Sequence, residues 1–122
     1  MTTATEMVTA AKTTIDNLDV ERTAAEIADG ALLVDLREHP ERADGGTIPG
    51  SLHVPRGLLE FAADPTHPLH VPDLQPDRRT ILYCAGGSRS ALGVVTLREL
   101  GYRDVAHLDG GIQAWTAAGR PA

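Results

Sequence analysis

Short apolar runs of strand length, set between helical and glycine-rich segments, are the feature that most constrains the fold of this chain. Residues 31–35 (ALLVD) and 80–83 (TILY) are apolar without the polar alternation of a half-exposed strand. A continuous apolar strand is typical of a parallel sheet that is covered on both faces. Two more short strands are predicted at 51–54 and 104–108.

Helical segments alternate with these strands. The sequence predicts helices over 20–29, 57–63, 89–100 and 112–118, and a glycine typical of a helix end follows three of them. Strands that alternate with helices indicate an α/β fold with a mainly parallel central sheet flanked by helices.

The length of the chain suits one domain. With 122 residues it is too short for two independent cores, so we expect a single domain over 16–122. Residues 1–15 are rich in Thr and Ala and are expected to form either an N-terminal arm or a short helix. Four prolines lie between 64 and 77 and exclude a continuous helix or a central strand, which predicts a long surface loop there.

Composition excludes several classes of partner. The formal net charge is −6, with 17 acidic and 11 basic residues. A nucleic acid or an anionic membrane surface would require a basic patch, so neither partner is expected. No apolar run approaches the ~20 residues of a membrane-spanning helix. The first residues lack the charged and apolar regions of a secretory signal, so a cytoplasmic location is expected.

Cys84 is the single cysteine of the chain. An internal disulfide and a thiolate zinc cluster are therefore excluded. Cys84 directly follows the 80–83 strand, at the carboxyl end where open α/β sheets place their ligand sites. A buried structural cysteine is the alternative. That alternative does not require the residues that follow Cys84, which are Ala85, Gly86, Gly87, Ser88, Arg89 and Ser90.

The residue types after Cys84 suit an activated thiolate. A small glycine-rich turn can aim successive backbone N–H groups at one point, and such a nest before a helix N-terminus attracts negative charge. The same field favours thiolate over thiol. Arg89, in the first turn of the predicted helix, supplies a fixed positive charge and a forked donor. We therefore expect Cys84 to be the nucleophile, residues 85–89 to bind an anionic substrate and Ser90 to support the loop.

Four motifs, in order along the chain, are similar to those of the rhodanese (sulfurtransferase) family. The family loop Cys-x-x-Gly-x-Arg-Ser is matched by Cys84, Gly87, Arg89 and Ser90. An upstream Asp-x-Arg motif is matched by Asp35-Leu36-Arg37. A Gly-His-Ile-Pro-Gly-Ala segment corresponds to Gly46-Thr47-Ile48-Pro49-Gly50-Ser51. The last family motif has the pattern Gly-Tyr…Val…Leu-x-Gly-Gly-x-x-x-Trp. It is matched by Gly101-Tyr102, Val105, Leu108, Gly110-Gly111 and Trp115.

This resemblance implies persulfide chemistry. Cys84 would take a sulfur atom from a small donor such as thiosulfate and pass it to a thiophilic acceptor, either cyanide or a thiol, including the thiol of a protein. The resemblance implies no metal and no organic cofactor. Thr47 replaces a usual histidine of the family; that histidine is interpreted as structural, so its loss leaves the expected function unchanged.

Two other functions compete with sulfur transfer. Cysteine-dependent phosphatases of similar fold carry five residues between Cys and Arg, whereas four residues, 85–88, lie between Cys84 and Arg89 here. The shorter loop favours a single sulfur over a tetrahedral phosphate. The second alternative is a non-catalytic or redox-sensing module, in which an exposed thiolate would be oxidised.

Several other polar residues are weaker candidates. Arg56 and Glu60 follow a strand end, and Arg56 is expected either to bind an anionic donor or to form a surface ion pair. Asp35 and Arg37 are expected to form structural hydrogen bonds near the loop rather than to orient it.

His67 and His70 are interpreted as solvated loop residues and not as a metal pair. Turn or sheet positions are predicted for His39, His53 and His107, and a core position is predicted for Trp115. Ser88 and Ser90 are typical of a helix start, and Ser88 is also expected to line the anion-binding loop.

Overall fold

The computed structural model describes residues 1–122 and contains one sheet of five parallel strands. The order of the strands across the sheet is β1-β5-β4-β2-β3. Their bounds are Asp16–Leu18 (β1), Leu32–Asp35 (β2), Leu52–His53 (β3), Thr80–Tyr83 (β4) and Val105–Leu108 (β5). Every residue of β2, β4 and β5 is buried; for β2 and β4, the continuous apolar runs predict this.

Six α-helices connect and cover these strands, which confirms the predicted α/β class. Their bounds are Ala4–Lys12 (α1), Val20–Ala28 (α2), His39–Gly45 (α3), Leu59–Ala63 (α4), Ser88–Glu99 (α5) and Gly111–Ala117 (α6), and a 3₁₀ turn, Arg56–Leu58, precedes α4. No helix has the length and apolar character needed to cross a bilayer.

The core consists of two layers, one on each face of the sheet. Alternate residues of a strand point to opposite faces, so Leu32 and Val34 belong to the layer beneath α4 and α5, whereas Leu33 belongs to the layer beneath α2 and α6. Trp115 is 5% exposed in the second layer, where its indole N–H donates to the Pro121 carbonyl at 3.0 Å. Trp115 is therefore the core residue that the sequence predicts.

Two elements differ from the sequence prediction. Strand β1 was not predicted, because two of its three residues are polar and exposed. Helix α3 was not predicted either, and His39, which was expected at a turn or sheet position, is the first residue of this helix. No residue of α3 is buried, so the helix has no apolar face for a periodicity search to detect. Its local signals are Pro40 in the first turn and reciprocal hydrogen bonds between Glu38 and Glu41.

The other ambiguous segments are also described. Residues 4–12, within the predicted arm or short helix, form helix α1, which packs against α5. Between 64 and 77 the chain contains turns and no helix or strand. In this loop the His67 ring stacks near Phe61, and the His70 ring contacts the Ala62 carbonyl at 2.9 Å. No group of three or more potential metal ligands occurs in the protein.

Candidate active site

Cys84 lies at the carboxyl end of β4, the strand in the middle of the sheet. It is 1% exposed. Residues 84–87 form a short loop between β4 and the first turn of α5. The thiol is therefore fixed between the end of a buried strand and the N-terminus of a helix, the position that the sequence predicts.

Two backbone N–H groups converge on the Cys84 sulfur. Gly87 N lies 3.2 Å from Sγ and Ser90 N lies 3.4 Å from it. Gly87 has a φ of 108°, which L side chains rarely adopt, and a β-carbon there would lie 3.1 Å from Gly110 N. The N-terminal end of α5 carries partial positive charge. Both the hydrogen bonds and this field stabilise a negative charge on the sulfur.

The N-terminus of α6 determines which way the loop carbonyls point. Ile112 N donates to the Cys84 carbonyl at 3.0 Å, and Gln113 N donates to the Ala85 carbonyl at 3.1 Å. This contact requires glycine at position 111, because a β-carbon there would lie 2.4 Å from the Ala85 carbonyl oxygen and 2.5 Å from that of Cys84. The carbonyls of Cys84 and Ala85 thus face α6.

The same arrangement leaves a set of N–H donors available. Backbone N–H groups that have no acceptor within the protein are those of Ala85, Gly86, Ser88 and Arg89. Gly86 and Ser88 are exposed, and Ala85 and Arg89 are partly exposed. The loop therefore provides two N–H groups to the thiol and four more to an anion bound beside it.

Arg89 lies beside this loop in a bidentate ion pair with Glu41 of α3. The two nitrogen–oxygen distances are 2.7 and 2.9 Å. The hydrogen bonds from Arg89 lower the pKa of Glu41 to about 2, and the same contact raises the pKa of Arg89. Arg89 does not hydrogen-bond to Cys84, so its role at the thiol in this structure is that of a nearby positive charge.

Glu41 is a site residue that the sequence reasoning missed. It lies 48 positions before Arg89 and in a helix that was not predicted. The sequence signal that could have located it is Glu41 three residues after Glu38, a spacing typical of a helix start. In the structure, Glu38 N donates to the Glu41 carboxylate at 2.9 Å at the start of α3.

Asp35 and Arg37 form hydrogen bonds with residues of α3. The Asp35 carboxylate is fully buried and accepts hydrogen bonds from Arg37, Arg42 and the Tyr83 hydroxyl. Burial opposes ionisation of Asp35, but these hydrogen bonds outweigh it and hold the pKa of the carboxyl below its ordinary value. Arg37 also donates to the Glu41 carbonyl at 3.3 Å. The pair thus supports the helix that carries the partner of Arg89.

Arg56 and Glu60 are not brought to the Cys84 loop. Arg56 forms an ion pair with Glu60 at 2.9 Å and donates to the Thr96 hydroxyl at 3.1 Å. Thr96 lies seven residues after Arg89 on α5, which is about 10 Å along the helix axis. The structure thus contains the ion pair that was the alternative for Arg56, and binding of an anionic donor by Arg56 stays a prediction. The pairing arises because i,i+4 residues face one another on this helical segment.

The buried side chains of Ser90 and His107 form a hydrogen bond with each other beside the Cys84 sulfur. Ser90 is fully buried, and its hydroxyl lies 3.6 Å from the Cys84 sulfur and 2.8 Å from His107 Nδ1. His107 occupies β5, as predicted, but its contact with the supporting residue of the loop was not predicted. Burial lowers the pKa of His107 to about 4, so the ring is neutral at pH 7.

A buried thiol at the end of a parallel strand, with two N–H groups directed at its sulfur and a paired arginine beside its loop, is an arrangement that suits nucleophilic chemistry at a cysteine. The sequence model of the Rhodanese-like domain family matches residues 19–118. This chain belongs to the rhodanese-like domain family.

Individual relatives agree with this assignment. A protein named Sulfurtransferase from Allochromatium vinosum is 34% identical over 109 residues, which cover 88% of this chain and 94% of that protein. The human single-domain sulfurtransferase is 25% identical with a TM-score of 0.73, covering 83% of this chain and 95% of its own. A Rhodopseudomonas palustris protein of unknown function, described as a possible tyrosine phosphatase, is 38% identical with a TM-score of 0.93 and covers 99% and 94%. Family and fold together support a transferase.

Proposed function

We propose that this protein is a sulfurtransferase that carries a sulfane sulfur on Cys84, with thiosulfate or a related small donor as its substrate. The observation that carries the proposal is the convergence of Gly87 N and Ser90 N on the Cys84 sulfur, with four further N–H groups unpaired around it. The first two donors suit the thiolate, and the others suit the second sulfur of a persulfide anion.

The reaction consists of two nucleophilic displacements at sulfur. In the first, the Cys84 thiolate attacks the outer sulfur of thiosulfate, a new S–S bond forms to Cys84, and sulfite leaves with the electron pair of the broken S–S bond. In the second, cyanide or a thiolate attacks the terminal sulfur of the persulfide, and the Cys84 thiolate leaves. The N–H groups that hold the thiolate before the first step also stabilise it as the leaving group of the second.

Phosphatase chemistry is the competing function, and the description of the Rhodopseudomonas palustris relative favours testing it. The loop has four residues between Cys84 and Arg89, and two of its N–H groups point at the sulfur itself. The guanidinium of Arg89 is already occupied by both oxygens of Glu41. A phosphoryl group needs space for three equatorial oxygens as well as donors for them, and this loop is one residue shorter than that of the phosphatases, so its length favours a single sulfur atom.

The test is intact mass measurement of the protein after incubation with thiosulfate, followed by cyanide. We expect a gain of one sulfur atom, then its loss with formation of thiocyanate. Cys84→Ser is the matched control, because it retains the size of the side chain and removes the nucleophilic sulfur, and it should show neither change. Turnover that persists in this variant would contradict the mechanism.

Two further results would refute specific parts of the proposal. A persulfide that forms but does not react with cyanide or thiols would indicate a sensing or storage module and not a transferase. Aryl phosphate hydrolysis that requires Cys84 would show that the protein is a phosphatase of the same fold.

A further inference from the structure

A chain of hydrogen-bonded side chains leads from the Cys84 sulfur, through two buried residues, to the exposed Asn17 at the edge of the sheet. The Ser90 hydroxyl lies 3.6 Å from Sγ and 2.8 Å from His107 Nδ1, and His107 Nε2 lies 2.8 Å from Asn17 Oδ1. Ser90 and His107 are both fully buried. Asn17 belongs to β1, whose register with β5 places it directly opposite His107. It lies outside the 19–118 segment matched by the family model.

The contacts of Asn17 determine the protonation of the histidine ring. Asn17 Nδ2 lies 2.9 Å from the Lys12 carbonyl and 3.3 Å from the Ile15 carbonyl. Both carbonyls are acceptors, so the amide nitrogen faces them and the amide oxygen faces His107. An amide oxygen only accepts, and therefore His107 Nε2 carries the hydrogen. In the neutral ring, Nδ1 is then an acceptor.

The hydroxyl of Ser90 has one hydrogen and two neighbouring acceptors on its inner side. One is His107 Nδ1, and the other is the Gly87 carbonyl at 3.2 Å. The Gly87 carbonyl already accepts from Ala91 N at 3.1 Å, whereas Nδ1 has no other donor. A buried acceptor without a donor costs free energy, so the Ser90 hydrogen lies on the histidine side. The Ser90 oxygen is then an acceptor toward the Cys84 thiol, which donates to it at 3.6 Å.

We propose that His107, fixed by Asn17, is a positioning residue that withholds the Ser90 hydroxyl hydrogen from the Cys84 sulfur, so that the thiolate is stabilised by two backbone N–H donors and not by a third, hydroxyl donor. Its benefit for sulfur transfer rests on the function proposed above. The nucleophilicity of a thiolate decreases as its charge is more strongly stabilised, so a thiolate with two donors attacks the sulfur donor faster than one with three.

Two substitutions of His107 separate its two hydrogen bonds. His107→Asn retains an amide oxygen near the position of Nδ1, where it can accept from Ser90. His107→Gln retains an amide N–H for Asn17 and has no atom at the Nδ1 position. Ser90→Ala removes the hydroxyl itself. None of these variants alters the surrounding charged groups, which are Arg89 and Glu41 beside the loop and Asp109, Lys12 and Asp16 around His107.

The experiment measures the rate of alkylation of Cys84 by iodoacetamide as a function of pH and takes the midpoint of the titration. We expect His107→Gln to lower the midpoint by about one pH unit, because the freed hydroxyl adds one hydrogen bond to a charged sulfur. His107→Asn should keep the midpoint of the parent. Ser90→Ala should not raise it, because the hydroxyl oxygen accepts a hydrogen bond from the thiol in the parent, and His107→Gln should have no effect in the Ser90→Ala background.

Ser90→Ala by itself decides between the two roles of the hydroxyl. A higher midpoint in this variant would show that Ser90 already donates to the thiolate in the parent, and it would overturn the proposal even if His107→Gln failed to fold. A parent-like midpoint in folded His107→Gln would overturn it as well. Circular dichroism and the thermal midpoint of each variant establish that it is folded.

Because alkylation reports on the thiol directly, this result does not depend on sulfurtransferase activity, and failure of either proposal is recognisable separately. If sulfur transfer occurs, His107→Gln should also lower kcat/KM for thiosulfate by about threefold at a pH where Cys84 is fully ionised, which is the change that a one-unit shift gives with the usual nucleophilicity dependence of thiolates. His107→Asn should restore the parental value.

Discussion

Substitution of Gly111 by alanine tests whether α6 shapes the Cys84 loop. The new β-carbon would lie 2.4 Å from the Ala85 carbonyl oxygen and 2.5 Å from that of Cys84, whereas an ordinary contact exceeds ~3.3 Å. The loop and α6 must therefore separate by about 1 Å, which breaks the hydrogen bonds from Ile112 N and Gln113 N to these two carbonyls. The carbonyls are then free to rotate toward the sulfur and displace the N–H donors.

The magnitude follows from two contributions. Residue 111 has a φ of 61°, and a left-handed conformation costs an alanine about 1 kcal/mol. Each broken hydrogen bond adds about 1 kcal/mol, so Gly111→Ala should lower the free energy of unfolding by about 3 kcal/mol. That loss is a large part of the 5–15 kcal/mol typical of a domain. Sulfur transfer from thiosulfate should fall at least tenfold, since the donors around Cys84 are displaced.

Gly119→Ala is the matched control. Gly119 has a φ of 81°, and nothing lies within 4 Å of a β-carbon placed there, so only the conformational cost of about 1 kcal/mol applies. Urea unfolding followed by circular dichroism measures both variants, and the thiosulfate–cyanide assay measures their activity. Equal stability and equal activity of the two variants would refute the role assigned to α6.

Two further predictions concern charged or titratable side chains around the site. Arg89→Lys retains the charge but loses the planar fork that holds both oxygens of Glu41, so kcat/KM for thiosulfate should fall by roughly tenfold, and Arg89→Ala should fall further. Parental kinetics in both variants would show that Arg89 serves Glu41 alone. Burial lowers the pKa of His107 from 6.5 to about 4. Between these pH values the unfolded chain binds a proton at His107 that the folded protein does not. The free energy of unfolding is therefore highest above pH 6.5 and decreases as the pH falls to 4. This decrease is the contribution of the buried ring. It amounts to at most about 3 kcal/mol, and urea unfolding of His107→Gln across this range should lack it. An unchanged pH dependence in a folded variant would contradict the burial argument.

Features that depend on neighbouring residues could be predicted from the sequence. The apolar runs at 31–35 and 80–83 predicted buried parallel strands because a strand covered on both faces needs apolar residues at successive positions. The Cys84 loop was recognised for a similar reason, since its glycines, its serines and Arg89 are adjacent in sequence and act on the same strand end. Family motifs then added the expectation of sulfur chemistry.

Contacts between distant segments were decided by the tertiary structure. Glu41 lies 48 positions from Arg89, and Asn17 lies 90 positions from His107. Nothing local in the sequence indicates that β5 inserts between β1 and β4, and only that strand order places Asn17 opposite His107. A side-chain hydrogen bond depends on positions within a few tenths of an ångström. Those positions are set by how the strands and helices pack, so the sequence alone indicates the candidate nucleophile but not its contacts with distant segments.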